Sequence, residues 1–173
     1  MELTQYITEK HVGGALRARL ETLEAAEREC IERVVCGLNP SANTLRALMG
    51  LAEEIGARDG MSLVEVFSSP EVTAALVEQA PRKVRQKRVR EVLHARRYPE
   101  IHAIKARLQQ ARQQVLVDCG LTLELPEDLE GDAIQVSLTV RSAEELARAA
   151  ERMQQAANHP STTTVFSILK GEY

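Results

Sequence analysis

Residues 121–146 read LTLELPEDLEGDAIQVSLTVRSAEEL, and this stretch decides the fold class because the hydrophobic period changes within it. Apolar and polar side chains alternate in two runs, with the apolar positions at Leu121, Leu123 and Leu125 and at Ile134, Val136, Leu138 and Val140. A two-residue period is typical of half-buried β-strands. The polar segment 126–132 between the runs predicts a turn, so the whole stretch predicts an antiparallel β-hairpin.

Helices are predicted on both sides of this hairpin. Ser142 followed by Glu145 has the spacing of a capping box, which begins a helix. On the other side, Pro99 can begin a helix and Gly120 can end it. The sequence therefore predicts a helix-strand-strand-helix module over 99–173, with the apolar C-terminal tail docked as a short element.

The hairpin needs further packing to be stable. Two strands alone are marginal in water, so they have to pack on the flanking helices or pair with strands of a second copy. The second option predicts a homodimer with an isologous interface. Both options stay open at the level of sequence.

The upstream region, residues 1–98, predicts helices only. After a short N-terminal arm, an amphipathic helix is expected over about 15–35 and a second one over about 41–60. Further helix starts are indicated by capping or proline signals at Ser62, Pro70 and Pro81. The expected fold is therefore α+β and predominantly helical, with five to six helices and one small antiparallel hairpin. The two regions are either separate or joined in one compact unit.

Composition limits the classes of protein that remain. Hydrophobic residues make up 44% of the chain, but aromatic residues make up only 3% and tryptophan is absent, so Leu, Val, Ile and Ala have to build the core. No apolar run approaches the roughly 20 residues of a membrane span, and no signal-peptide pattern is found. The three cysteines are an odd number, which argues against a disulfide framework. We therefore expect a cytoplasmic protein with no membrane partner.

Charge is distributed very unevenly along the chain. The net charge is -3, yet the segment 82–97 contains eight Lys or Arg residues and a single acid, Glu91. The segment therefore carries +7 and the rest of the chain -10. Its apolar positions form only a thin stripe, so we expect a basic helix that docks lightly on the core.

This basic helix is the candidate functional site. A cationic strip along a helix can contact successive phosphates of a nucleic acid. No aromatic residues are interleaved for base stacking, so the expected contacts are with the backbone and depend little on sequence. One alternative is that these side chains are simply solvated on a surface helix or pair with acidic helices of the same chain, such as 21–32 and 53–54. Another is an interaction or scaffold module whose basic helix meets an acidic protein surface, or the acidic N-terminal helix of a second copy. The candidate residues are Lys83, Arg85, Lys87, Arg88 and Arg90, with Arg96 and Arg97 extending the patch.

The sequence contains no pattern that predicts catalysis or metal binding. The four histidines are scattered, and Cys30 and Cys36 are too far apart for a close-set ligand pair. No glycine-rich loop suitable for a phosphate is present. We therefore expect a non-enzymatic protein with no metal, no cofactor and no small-molecule ligand. The alternative is an enzyme whose pocket is lined by residues distant in sequence.

A helix-turn-helix motif is a weaker candidate. Residues 51–56 have the alanine and glycine spacing of the first helix and turn of that motif. The next helix, however, would carry Glu65 and no Arg, Asn or Gln able to read a base. An amphipathic helical hairpin is the interpretation that fits these residues.

Three stretches carry a resemblance to a known family. They are SANTLR at 41–46 leading to RDG at 58–60, the basic run 83–90 ending in RYP at 97–99, and LP at 125–126 through EGD at 130–132 into RSAEEL at 141–146. Together they resemble the region downstream of the nuclease-like domain in bacterial ParB-like partition proteins. The resemblance implies an accessory helical domain that associates with DNA or forms dimers. The nucleotide-binding and DNA-clamp motifs of that family are not found, so CTP binding and recognition of a specific DNA site are not implied.

Overall fold

In the computed structural model, which describes residues 2–126 and 131–172, the protein is predominantly helical. Helices make up 73% of the described residues, which form ten helices and one small two-stranded antiparallel sheet. The predicted fold class is confirmed at this level, whereas the expected number of five to six helices is wrong. Contacts divide the chain into two compact units, Met1–Pro99 and Glu100–Tyr173.

Seven helices belong to the first unit and three helices with both strands to the second. The first unit contains α1 (Leu3–Glu9), α2 (Gly14–Glu21), α3 (Ala25–Leu38), α4 (Ala42–Asp59), α5 (Leu63–Phe67), α6 (Pro70–Val77) and α7 (Arg82–Arg97). The second contains α8 (Pro99–Cys119), β1 (Leu123–Glu124), β2 (Gln135–Val136), α9 (Ala143–Ala157) and α10 (Pro160–Leu169). The turn predicted over 126–132 lies partly outside the described residues.

The expected N-terminal arm is a helix, α1. Leu3 and Tyr6 lie three residues apart on one side of it, and both are buried in the core of the first unit. The Tyr6 hydroxyl donates a hydrogen bond of 3.2 Å to the carbonyl oxygen of Pro40, and burial raises the pKa of Tyr6 to about 12. This segment is helical because its apolar side is covered, which a seven-residue helix requires in water.

The single helix expected over 15–35 is two helices, α2 and α3. The chain breaks at Leu23, whose side chain is buried, and restarts at Glu24. The Glu24 carboxylate accepts a hydrogen bond from the Glu27 amide, and the Glu24 amide donates to Glu27 Oε2 over 3.3 Å. This is a capping box with Glu in place of the usual Ser or Thr, so no standard signal for a helix start is present at that position.

The more usual cap signals are confirmed. Ser41 accepts a hydrogen bond of 3.1 Å from the Thr44 amide and begins α4, which ends at Gly60 with φ of 68°. Ser62 and Glu65 form a reciprocal capping box at α5, and the two Ser62 donors lower the pKa of the Glu65 carboxyl. Each of these caps joins residues that lie within four positions of each other, so the spacing of residue types is enough to predict it.

Helix α7 is an integral part of the core, so the expectation of light docking is wrong. Val89 and Leu93 are both 0% exposed and belong to the main apolar cluster of the first unit. Polar side chains of α7 also reach helix ends: Gln86 donates to the carbonyl oxygen of Leu38 over 2.8 Å. Such donors satisfy last-turn carbonyls that have no partner within their own helix.

The second unit has its own small core under a short sheet. Antiparallel pairing joins Leu123 with Val136 and Glu124 with Gln135, and β2 does not continue through Leu138. Leu138 and Val140 are 40% and 37% exposed, because the ladder ends before them. The tail predicted to dock is helix α10. The buried apolar residues of this core are Leu108, Ala111, Val115, Cys119, Leu121, Leu123, Ala156, Val165 and Ile168.

Candidate nucleic-acid interface on helix α7

Helix α7 buries one side and exposes the other. Pro81 precedes its first residue, and Tyr98 ends it because Pro99 follows. With 3.6 residues per turn, the positions i, i+4 and i+7 of a helix lie on one side. Lys83, Lys87 and Arg90 occupy these positions, and all three are exposed. We call these three residues the cationic stripe.

The cationic stripe is nearly unpaired. Within the described part of the chain, Lys83 and Arg90 have no carboxylate oxygen within 4.0 Å. Lys87 Nζ lies 3.7 Å from Glu91 Oε1, and these two side chains are 78% and 61% exposed. An ion pair so exposed contributes little to the stability of the fold, because water and salt screen the attraction between its charges. The stripe therefore presents positive charge to solvent.

Two other predicted site residues are engaged by neighbouring helices. Arg85 is half-buried, and its Nη1 donates a hydrogen bond of 3.0 Å to the carbonyl oxygen of Leu76 near the end of α6. Arg88 Nη1 lies 3.1 Å from Glu78 Oε1, just beyond α6. Both side chains hold α6 and α7 together, so neither is as available to a ligand as the stripe is.

The last two predicted site residues join the C-terminal end of α7 to α4. Arg96 Nη2 lies 3.3 Å from Asp59 Oδ2, and Arg97 Nε lies 2.7 Å from Glu54 Oε2. The hydrogen bond from Arg58, and then that from Arg96, lowers the pKa of the Asp59 carboxyl. These pairs neutralise this end of the predicted patch.

The seven predicted residues thus fall into two groups. Three form the exposed stripe, in which Lys87 lies near Glu91 of the same helix, and the other four are ion-paired or hydrogen-bonded to groups outside α7. The pair of Arg97 with Glu54 agrees with the alternative that the basic helix meets acidic residues at 53–54, whereas Asp59, 37 residues from Arg96, was not expected as a partner. The helical period, in contrast, was sufficient to place the stripe on one side.

The helix-turn-helix candidate does not supply a reading helix. The element after the turn is α5, which is only five residues long. Leu63, Val66 and Phe67 are all buried in the core. No side of α5 is long enough to lie in a DNA groove, which agrees with the helical-hairpin interpretation.

Sequence reasoning missed one feature of the first unit. A cavity of about 440 Å³ lies among residues of α3, α5, α6 and α7. Its walls are mainly apolar, and Arg33 and Arg85 bring guanidinium groups to it. The residues come from four helices separated along the chain, so no local motif signals the cavity.

Comparison with family models, curated proteins and solved structures found no match. Within residues 2–126 and 131–172, no three His, Cys, Asp or Glu side chains come together as a potential metal site. No helix in that same part of the chain is long and apolar enough to cross a membrane. The side chains described above are therefore the basis for inferring function.

Proposed function

We propose that this is a non-enzymatic, cytoplasmic DNA-associated protein that binds the phosphate backbone of duplex DNA through the cationic stripe, in a role related to partition. The observation that carries the proposal is the exposure of Lys83, Lys87 and Arg90 together on one side of α7. The core contacts of Val89 and Leu93 hold that side outward. A rigid helix fixes the spacing of the three charges before any ligand binds, which reduces the entropy lost on binding.

The dimensions of the stripe suit a nucleic-acid strand. Lys83 and Arg90 are seven residues apart, which at about 1.5 Å per residue corresponds to roughly 10 Å along the helix axis. One strand of duplex DNA carries a phosphate about every 3.4 Å of its axis. Three cations over this length can therefore contact about three successive phosphates. The stripe lacks the Asn or Gln that reads adenine, and Lys and Arg side chains that contact phosphates read no base, so binding should depend little on base sequence.

A charge-matched comparison tests the proposal. In the first variant, Lys83→Gln, Lys87→Gln and Arg90→Gln remove the stripe. In the control, Lys105→Gln, Arg107→Gln and Lys170→Gln remove the same charge from exposed positions of the second unit. Fluorescence anisotropy with a labelled duplex of arbitrary sequence measures the affinity at about 0.1 M salt. We expect a loss of roughly tenfold or more for the stripe variant and a much smaller loss for the control.

Two outcomes count against the proposal. The first is an equal affinity for wild type and stripe variant, both shown by circular dichroism to be folded. The second is an equal loss in both variants, because binding would then follow net charge and not the stripe.

The second candidate function is that of a homodimeric interaction module. It is favoured by the exposed apolar side chains of α9, where Leu146 is 57% exposed and Met153 is 36% exposed. Exposed apolar patches often mark protein interfaces. Under this alternative, sizing chromatography gives a dimer that Leu146→Glu converts to a monomer, and the wild type has no measurable affinity for DNA.

A further inference from the structure

The cavity in the first unit has the size and lining of a ligand site. Its volume of about 440 Å³ lies within the range of roughly 300–1,000 Å³ that small-molecule sites occupy. Val34, Phe67, Leu76 and Val77 form its apolar walls. Val77 is 73% exposed, so the cavity is open to solvent on that side.

The charge of the lining is entirely positive. Arg33 and Arg85 line the cavity, and no carboxylate of the described residues does. Arg85 Nη1 is occupied by the carbonyl oxygen of Leu76, whereas its Nε is buried and has no hydrogen-bond partner among the described atoms. The remaining nitrogen, Nη2, has no hydrogen-bond partner among the described residues and is not buried, so it is the group of Arg85 that a ligand can reach.

The second arginine of the lining is weakly held. Arg33 Nη2 makes a long contact of 3.4 Å with Ser68 Oγ, the Arg33 side chain also interacts with the Cys30 thiol, and Arg33 is exposed. Turning the Arg33 side chain toward a ligand in the cavity therefore costs little free energy. Two guanidinium groups beside an apolar cavity suit a ligand that has one anionic group and an apolar body. A carboxylate is a suitable anionic group, because it accepts hydrogen bonds from arginine in a fixed geometry.

We propose that this cavity binds a small monocarboxylic acid with an apolar body, such as a medium-chain fatty acid. The carboxylate accepts a hydrogen bond from Arg85 Nη2 and pairs with Arg33, and the chain packs along Val34 and Phe67. The site is independent of the cationic stripe, so its existence does not rest on the proposed binding of DNA.

A thiol at the cavity provides a natural reporter. Cys36 lines the cavity and is exposed, whereas Cys30 and Cys119 are buried. Desolvation also raises the pKa of the Cys30 thiol, which lowers its reactivity at neutral pH. Alkylation of the native protein should therefore occur mainly at Cys36, and a ligand in the cavity should slow it.

The experiment uses octanoate as the probe and its neutral analogue octanamide as the comparison. Calorimetry measures binding to the full chain, and the rate of Cys36 alkylation gives a second readout. Octanoate should bind roughly tenfold more tightly than octanamide, since a hydrogen bond to a charged group is the stronger one. Saturating octanoate should slow alkylation at Cys36 severalfold.

Three variants locate the site. Gly37→Met fills the cavity: a Cβ there would lie 3.8 Å from Leu76 Cδ2, an ordinary contact that leaves the backbone in place. Arg85→Gln removes the half-buried guanidinium group, and Arg33→Gln removes the exposed one and so keeps the test valid if Arg85→Gln does not fold. Arg82→Gln, on the same helix but outside the cavity lining, is the matched control. We expect at least tenfold weaker binding for Gly37→Met, weaker binding for each cavity arginine variant, and unchanged binding for Arg82→Gln.

The proposal is overturned if octanoate binds no more tightly than octanamide, if Gly37→Met binds octanoate as the wild type does, or if no binding is detected at millimolar concentrations.

Discussion

Tyr6 is the largest fully buried side chain of the first unit, and its hydroxyl needs the carbonyl oxygen of Pro40 as an acceptor. Removing the hydroxyl leaves that buried oxygen without its donor. We therefore expect Tyr6→Phe to lower the free energy of unfolding by about 1 kcal/mol at pH 7, measured by urea titration.

The burial of Tyr6 also predicts how the stability of the protein changes at alkaline pH. The pKa of Tyr6 is about 12 in the folded protein, against 10.0 for an ordinary tyrosine. Because the folded pKa is the higher one, the stabilisation is complete below pH 10 and is lost as the pH rises toward 12. The difference in stability between wild type and Tyr6→Phe should therefore shrink across this interval. A difference that stays constant from pH 9 to pH 11.5 would contradict the assignment.

Helix α7 has one side that packs in the core and another side that is the candidate binding surface. Leu93 is fully buried, so Leu93→Ala should lower the free energy of unfolding by about 2–5 kcal/mol, measured by thermal or urea unfolding. Lys87→Ala, on the exposed side, should change it by less than about 0.5 kcal/mol. Equal, small effects of the two substitutions would mean that α7 is not part of the core.

Local signals account for the elements that the sequence predicted correctly. Ser41, Ser62 and Pro70 each act on amides or backbone angles within one helical turn, and each begins a helix where expected. The break at Glu24 was missed because it depends on the burial of Leu23 as well as on an unusual cap. Helix α1 was missed for a related reason, since its stability comes from tertiary packing and seven residues carry little periodicity.

The candidate site was predictable only in part. Helical period and composition were enough to locate Lys83, Lys87 and Arg90. The acidic residues at 53–54 could be named as possible partners of the basic helix. Which arginine they pair with, and the pairing of Arg96 with Asp59, depend on tertiary structure. The cavity beside Arg85 likewise arises only when four helices come together.

At the scale of the whole molecule, the two units have separate cores and should lose structure separately. Val115 is fully buried in the second unit, so Val115→Ala should speed amide hydrogen exchange in that unit by tenfold or more. Exchange in α3 and α4 of the first unit should be nearly unchanged. Loss of protection throughout both units would contradict this division.

The dependence of DNA binding on salt concentration measures whether the cationic stripe contacts phosphates. The logarithm of the binding constant falls linearly with the logarithm of salt concentration, and each phosphate contact contributes about 0.9 to the slope. If Lys83, Lys87 and Arg90 contact phosphates, the variant with all three changed to Gln should have a slope smaller by about 3, whatever the DNA sequence. Identical slopes for wild type and variant would contradict the claim.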